Sequence, residues 1–329
     1  MSASPSGAAP PASTETRPPT PGQASRFLAQ ATFGPTPAQI DAVVRDGYAA
    51  WLDAQLALPP SQSHFDWLLQ QGKDTEAYKG NGINAPLEST LWRKFISAED
   101  QVRTRVAFAL SEIFVVGVAS ITANWPLFGA AGFMDLLAEH AFGSYQDLLT
   151  AVTRNLSMGC MLTYRGNRKE DPRTGRHPDE NYAREIMQLF SVGLFQLNKN
   201  GTQIKNEKGV TVQVYDNDEI QEYARVWTGF KSQSERGNIE FTQGNKIDPM
   251  HIDVKWRDPL PKMGLNRKYI GDGMPLCADL PVRHFLSKGA VYRLLGKNPT
   301  PELQEDPETW AADTIAKRMT LQPSIEGDC

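Results

Sequence analysis

Two segments of the chain place acidic and basic side chains at helical spacing, and they hold the residues best suited to chemistry. The first segment, 177–193, reads HPDENYAREIMQLFSVG, and one arc of its helical wheel carries Glu180, Asn181, Arg184 and Glu185. The second segment, 216–229, reads DNDEIQEYARVWTG, and one face of its helix carries Asp218, Glu222 and Arg225. Tyr-Ala-Arg occurs in both, so the two helices are predicted to form a pair.

These side chains suit the recognition of an anionic group. A guanidinium forms a planar fork that matches carboxylate, sulfate or phosphate, so Arg184 and Arg225 are predicted to bind the ligand. Glu180 and Glu185 are the candidates for a general acid or base. The predicted site is a cleft between helices 178–192 and 217–228, which binds or processes an anionic small molecule or saccharide. Its other predicted ligand-binding residues are Asn167, Asn181, Asp218 and Glu222.

The same charges also have a structural interpretation. Glu180 and Arg184 are four residues apart, which is the spacing of an ordinary ion pair on a helix surface. Acid–arginine networks between helices can be purely structural. A non-catalytic scaffold that docks a partner protein therefore stays open beside an enzyme or a ligand-binding protein.

Metal and cofactor chemistry has little support in the sequence. His251 and Asp253 form a His-x-Asp pair, but a closed metal site needs three or four ligands, and the five histidines show no regular ligand spacing. The chain has no Walker loop and no Gly-x-Gly-x-x-Gly, so no nucleotide cofactor is indicated. His251 and Asp253 are the only metal candidates, and the cofactor is unknown.

Composition narrows the class of protein. The chain has 329 residues, of which 40% are hydrophobic and 22% charged, which is typical of a soluble globular protein. A net charge of −4 argues against non-specific binding of nucleic acid, which needs a basic surface. Three cysteines do not make a disulfide framework. The sequence contains no uninterrupted run of 18 apolar residues, so it predicts no membrane span. The first residues also lack the apolar core of a signal peptide.

Helical periodicity predicts a mainly α fold, with about ten helices in one large domain. Residues 1–22 are rich in proline, serine and alanine and are expected to form a disordered leader, with order beginning near Ala24. The helical domain is predicted over 23–300, with a small β-hairpin at about 195–215 that turns at Asn-Glu-Lys-Gly (206–209). An irregular segment is predicted at 231–277 and a last helix at 279–296. The C-terminal segment, 301–329, ends without a clear final element, which is compatible with truncation of a longer protein.

Four segments of the chain resemble the family called domain of unknown function 1800. They are RFLAQATFGPTPAQIDAVVRDGYAAWLDAQLALP (26–59), MGCMLTYRGN (158–167), ENYAREIMQLFSVGL (180–194) and NDEIQEYARVWTGF (217–230). The resemblance implies a predominantly α-helical protein of a mainly bacterial family with no established activity. It also implies a companion gene for a sulfatase-like protein and, for many members, export from the cell.

The resemblance carries over to some positions and not to others. Members of the family usually have an acid and a histidine late in the first signature helix, where this chain has Gln188 and Phe190. The Tyr-Leu-Asp-Asn that usually precedes that helix reads Tyr-Arg-Gly-Asn here, at 164–167. The residues that match the family pattern are Asn167, Asn181, Arg184, Glu185 and Arg225. These departures shift the expected chemistry away from a metal and toward the arginines.

Overall fold

The fold is mainly α-helical, as the periodicity predicts. A computed structural model describes residues 18–75, 85–122, 125–233, 248–260, 262–265, 269–270, 292–295 and 320–323. These residues form ten α-helices, a short 3-10 helix at Val118–Ser120 and three small antiparallel strand pairs. None of the helices in the described residues is long and apolar enough to cross a membrane.

Along the described part of the chain, all the helices come before the strands. The helices are α1 (Pro21–Ala31), α2 (Pro37–Ala57), α3 (His64–Gln70), α4 (Ala85–Ser97), α5 (Gln101–Ser111), α6 (Pro126–Glu139), α7 (Tyr145–Arg154), α8 (Leu156–Met161), α9 (Asn181–Gln188) and α10 (Asn217–Val226). The strands are β1 (Phe230–Lys231), β2 (His251–Ile252), β3 (Lys262–Met263), β4 (Tyr269–Ile270), β5 (Tyr292–Leu295) and β6 (Thr320–Pro323), paired β1–β2, β3–β4 and β5–β6.

Capping residues set the start of the first two helices. The side chains of Thr20 and Thr36 each accept a hydrogen bond from the backbone N–H of a glutamine three residues on. The side-chain oxygen of that glutamine in turn accepts from the backbone N–H of the threonine. Because of this cap, α1 begins at Pro21, before the predicted start of order near Ala24. Residues 1–17 of the predicted leader lie outside the described residues. In α2, Gly47 adopts φ 85° and kinks the helix.

The main core lies around α6, which packs against α3 and α5 and also contacts α4, α7 and α8. Large side chains from these helices and from the two signature segments fill it, and burial of each contributes on the order of 1.5–3 kcal/mol. Its largest members include Phe114, Phe133, Leu137, Met158, Tyr164, Tyr182 and Phe230. The signature segments therefore belong to the core of the domain, and α9 packs directly against α10.

The segment between α9 and α10 contains the predicted turn at 206–209 and one more extended arm than a hairpin has. Three arms, 194–198, 202–206 and 210–214, bond to one another in a closed ring. The backbone N–H of Gln196 donates to Val212 (3.0 Å), that of Val212 to Ile204 (2.9 Å) and that of Ile204 to Gln196 (2.8 Å). Gly193, Gly201 and Gly209 recur every eight residues at positive φ, which allows the chain to turn before each arm.

Two sequence-based expectations near the C-terminus meet the structure only in part. The predicted helix at 279–296 contains Tyr292–Leu295, which forms β5 and pairs with β6, so this part of the prediction is wrong. The rest of that helix lies outside the described residues, as do 234–247 of the predicted irregular segment. The described part of the irregular segment contributes β2, β3 and β4.

Candidate functional site

The two signature helices are short, and each buries one face. In α9, Tyr182, Ala183 and Met187 are buried, and in α10, Ile220 and Ala224 are buried. Asp216 caps α10 by accepting from the backbone N–H groups of the first turn. The charged residues of both helices consequently lie on the sides that face away from the core, as the helical wheel predicts.

Arg225 is held by carboxylates on two sides. Its Nε and Nη2 donate to the two oxygens of Asp258, at 2.9 Å and 3.2 Å, and its Nη1 donates to Glu222 at 2.6 Å. Burial disfavours the charge, but the hydrogen bond to Asp258 and the two neighbouring carboxylates raise the pKa of Arg225 above its ordinary value. All three guanidinium nitrogens are used, so this arrangement is that of a structural ion pair.

Arg184 is in a different environment from Arg225. Its Nη2 donates to Glu180 at 2.6 Å, and its side chain is 38% exposed, twice the 19% of Arg225. Tyr215, at the end of the third arm, is close enough for the charges of Arg184 and Glu185 to act on it, although burial is the main cause of its raised pKa. The Tyr215 hydroxyl is buried and has no hydrogen-bond partner among the described residues.

Asn167 connects the signature segments. Its Nδ2 donates to the carbonyls of Asp179 (3.2 Å) and Trp227 (3.4 Å), and its Oδ1 accepts from the backbone of Asp179 (2.9 Å). The backbone of Gly229 also donates to the carbonyl of Asn167. All the bonding capacity of this side chain is directed at backbone groups, so Asn167 fixes the entry to α9 against the exit from α10.

The remaining predicted residues do not gather around one point. Asn181 donates to Thr163 at 3.4 Å, and Glu222 is paired with Arg225, whereas the carboxylate of Asp218 makes no hydrogen bond with the described residues. Asp253 binds the ammonium of Lys231 at 3.0 Å, and this hydrogen bond lowers the pKa of the carboxyl. Nowhere in the described ranges do three His, Cys, Asp or Glu side chains come together as metal ligands.

A cleft of about 560 Å³ opens beside the signature helices, on the side away from the charged stripes. It lies between α7, α9, the end of α10 and the β1–β2 pair. Its walls are mostly apolar, and they are formed by Gln146, Leu149, Thr150, Thr153, Arg154, Ile186, Trp227, Phe230, Met250, His251 and Ile252. Of the predicted site residues, only His251 lines this cleft.

Two ring nitrogens in the wall of this cleft have no partner. Trp227 Nε1 and His251 Nδ1 are both buried and make no hydrogen bond with any described residue. Leaving a buried polar group unpaired costs about 1–3 kcal/mol. Trp227 is fixed by its edge-to-face contact with Tyr182, at 4.9 Å between ring centroids, so its N–H cannot easily turn elsewhere. Unsatisfied buried groups are rare in native structures, so these two call for an explanation, and a bound ligand is one.

Arg154 supplies a positive charge at the edge of the cleft. It is the last residue of α7 and is exposed, and its guanidinium makes no hydrogen bond or ion pair within the described part of the chain. Its carbonyl accepts from the backbone of Met250 at 2.7 Å, which joins α7 to β2. Arg154 also lines a second cleft of about 460 Å³, whose other polar residues include Asp135, Glu139 and His140.

Neither Arg154 nor Trp227 was predicted as a site residue from the sequence. Arg154 stands in Thr-Arg-Asn-Leu, outside both signature segments, and nothing in its local pattern distinguishes it from a surface arginine. Trp227 does lie in the second signature, directly after Val226 and opposite the charged stripe. A tryptophan on an apolar face has one polar atom that must find a partner, and this was the available signal.

The fold and the cleft define a mainly helical globular protein with a ligand-sized cleft beside a pair of short, charged helices. The chain belongs to the family described as protein of unknown function (DUF1800), whose model matches residues 26–297. No curated protein matches the chain, and no solved structure does.

Proposed function

We propose that this protein binds an anionic small molecule with an apolar body in the cleft beside Trp227. The observation that carries the proposal is the pair of unpaired, buried nitrogens, Trp227 Nε1 and His251 Nδ1, in the wall of one cavity. The two atoms have almost no accessible surface in the structure, so a ligand reaches them where the side chains that cover them shift, and it then recovers the free energy that their desolvation costs. The size of the cavity falls within the range of small-molecule sites, about 300–1,000 Å³.

The lining supports this ligand chemistry. The indole N–H of Trp227 can only donate, so its partner must be an acceptor. The guanidinium of Arg154 stands at the edge of the cleft without an ion pair to a described residue and favours a negative charge. Leu149, Ile186 and Met250 offer apolar surface to the rest of the ligand. A carboxylate or phosphate on a hydrocarbon or aromatic body satisfies all three requirements.

The proposed ligand is anionic, as predicted, but the arginine proposed to bind its charge is Arg154 rather than Arg184 or Arg225. Arg225 is occupied by Asp258 and Glu222, which disfavours it as an anion-binding residue. Arg184 is partly exposed and lies next to Glu185 in the chain. Glu180 and Glu185, the predicted acid–base residues, therefore lie on a more open surface that is separate from the cleft beside Trp227. A binding role for the cleft beside Trp227 does not depend on that chemistry.

A second candidate function is a non-catalytic scaffold that docks a companion protein. The saturation of Arg225 favours it, because the charges of the second signature then act as internal struts. Leu189, Leu197 and Val210 are also more than half exposed near the three-armed segment. The sulfatase-like companion implied by the resemblance is the partner proposed for this alternative.

The test uses benzoate, octanoate and phenyl phosphate as anionic probes, with benzamide and benzyl alcohol as neutral controls. Calorimetric titration of the full chain is expected to show saturable binding of at least one anionic probe and weaker binding of the neutral ones. Trp227→Phe removes the indole N–H together with part of the ring system, and Arg154→Met removes the charge together with the guanidinium donors. Each is expected to weaken binding about fivefold or more. Trp92→Phe and Arg173→Met, at exposed positions outside the cleft, are the matched controls.

Two results would count against this proposal. One is the absence of saturable binding for every anionic probe. The other is equal loss of binding in Trp227→Phe and in Trp92→Phe, which would point to an effect of any tryptophan replacement. Capture of a partner protein that survives Trp227→Phe but is lost on Leu197→Asp would favour the scaffold.

A further inference from the structure

Unpaired polar atoms also gather at a second place, the junction of α4 and α5. Ser61 Oγ, Arg93 Nε and Asp100 Oδ1 are buried and have no hydrogen-bond partner among the described residues. All three residues line one pocket of about 280 Å³ between the 58–62 segment and residues 93–100. This pocket shares no lining residue with the cleft beside Trp227, so it is a separate feature of the domain.

Asp100 has an unusual role for its position. It is the residue before α5, where an aspartate normally caps the helix, yet its side chain accepts no bond from the first turn. Instead its Oδ2 accepts from the backbone of Ser61 at 3.0 Å. The residue is 1% exposed, and its Oδ1 is left without a partner. A buried carboxylate oxygen in this state needs a donor, and the described residues do not supply one.

Arg93 has a single unpaired N–H group among the described residues, rather than two adjacent ones. Its Nη1 donates to the side chain of Gln62 at 3.3 Å, and its Nη2 donates to the carbonyls of Gln62 (3.0 Å) and Ser63 (3.3 Å). Its Nε alone has no partner in the part of the chain that the structure describes. Bidentate recognition of a carboxylate or phosphate requires two adjacent N–H groups, so this geometry does not suit such a ligand.

Arg103 stands behind Asp100 in a similar state. Its two terminal nitrogens donate to the carbonyls of Ala138 and Leu58, both at 3.2 Å. Its Nε lies 3.7 Å from Asp100 Oδ2 and makes no hydrogen bond with a residue of the described ranges. The guanidinium groups of Arg93 and Arg103 and the ammonium of Lys94 surround the buried carboxylate of Asp100, and the exposed carboxylate of Glu99 also lines the pocket. The positive charges disfavour a divalent cation, and the two carboxylates disfavour a strongly anionic ligand.

We propose that this pocket binds a small neutral hydroxylated molecule, a polyol or a monosaccharide. Each hydroxyl group donates one hydrogen bond and accepts others, so neighbouring hydroxyls can donate to Asp100 Oδ1 and accept from Arg93 Nε once the side chains that cover these two buried atoms shift. The Ser61 hydroxyl can do either. A water molecule occupies about 30 Å³ in the liquid, so the pocket has room for several waters or for one polyol that replaces them.

Trp67 provides a reporter for this pocket, because the guanidinium of Arg93 stacks over its ring at 5.7 Å. In the full chain, labelled with nitrogen-15, the Trp67 indole resonance is assigned by its loss in Trp67→Phe. Myo-inositol, a hexose and glycerol are the probes, and alanine is the zwitterionic comparison. We expect a saturable shift of the Trp67 resonance with at least one hydroxylated probe and none with alanine.

Two serines in the same pocket make a matched pair. Ser61→Ala removes the unpaired hydroxyl and is expected to weaken binding roughly fivefold. Ser97→Ala removes a hydroxyl that donates to the carbonyl of Arg93 at 2.7 Å, so binding should be unchanged. Polyols at high concentration stabilise most proteins by exclusion from the surface, which is why the criterion is the difference between these two variants.

Asp100→Asn is the second test, since the asparagine oxygen can still accept from Ser61 while its amide replaces the unpaired acceptor. We expect this variant to fold, with an unchanged circular dichroism spectrum, and to lose most of the binding. The proposal is overturned if no hydroxylated probe gives a saturable shift, if alanine binds in their place, or if Ser61→Ala and Ser97→Ala behave alike. If Asp100→Asn unfolds, the serine pair alone decides.

Discussion

Arg225 and Asp258 form a two-point ion pair across 33 residues of chain, with Nε–Oδ2 at 2.9 Å and Nη2–Oδ1 at 3.2 Å. Asp258 is almost fully buried, and its carbonyl also accepts from the ammonium of Lys262. The pair attaches the segment after β2 to the last turn of α10. The Tyr-Ala-Arg of the second signature therefore serves the fold, whereas its counterpart at Arg184 stays at the surface.

Replacing the two signature arginines should separate these roles. Arg225→Met leaves the buried carboxylate of Asp258 without its partner and is expected to cost about 3–5 kcal/mol in the free energy of unfolding. Arg184→Met removes a half-exposed pair and should cost no more than about 1 kcal/mol. Urea unfolding followed by circular dichroism measures both. Equal losses in the two variants would contradict a structural role specific to Arg225.

The glycines that end the two signatures should also differ. A Cβ on Gly229, at φ +87°, meets Asp253 O at 3.0 Å and the backbone N of Arg257 at 3.1 Å. Gly193, at φ +77°, has open space around it. Gly193→Ala should cost about 1–2 kcal/mol from backbone strain alone, and Gly229→Ala roughly 1–3 kcal/mol more. Thermal unfolding of both variants checks the order, and a smaller loss for Gly229→Ala would show that β2 yields easily.

His64 should make stability depend on pH. Burial, together with the charges of Lys94 and Arg93, lowers its pKa from 6.5 to about 3, while its Nδ1 contacts the hydroxyl of Thr90. The unfolded chain therefore takes up a proton below pH 6.5 that the folded chain does not, so stability is complete above 6.5 and falls as the pH is lowered. The slope from this residue is up to about 1.4 kcal/mol per pH unit.

His64→Gln removes this titration and keeps a polar group near Thr90. The free energy of unfolding of wild type and variant should run parallel above pH 6.5 and diverge between pH 6.5 and 4.5, with the wild type losing more. Urea titrations at four pH values in this range provide the measurement. Curves that remain parallel down to pH 4.5 would mean that His64 accepts a proton in the folded state.

The helical character of the chain and its family could be predicted because both depend on local patterns. The cap at Thr36 and the buried face of α9 follow from residues within a few positions of one another. The same local logic predicted the turn at 206–209. The helix predicted over 178–192 is longer than α9, which ends at Gln188. The end of α9 is set by its contacts with the core rather than by its own periodicity.

The site could not be predicted in the same way, because its parts come from distant segments. Asp258, which forms the ion pair with Arg225, lies in a stretch of sequence that shows little periodicity. The cleft brings Arg154 from α7 to Trp227 and to His251 of β2, over a sequence distance of almost a hundred residues. No local pattern signals such a meeting. The charged stripes drew attention to the opposite face of the same two helices.

The most direct test of the account observes Trp227 itself. The seven tryptophans give seven indole N–H resonances, and loss of one in Trp227→Phe identifies that of Trp227. On titration with benzoate, octanoate or phenyl phosphate, the account predicts a saturable shift of the Trp227 resonance, while that of exposed Trp92 stays in place. A probe that binds the protein without moving the Trp227 resonance would contradict the proposed site.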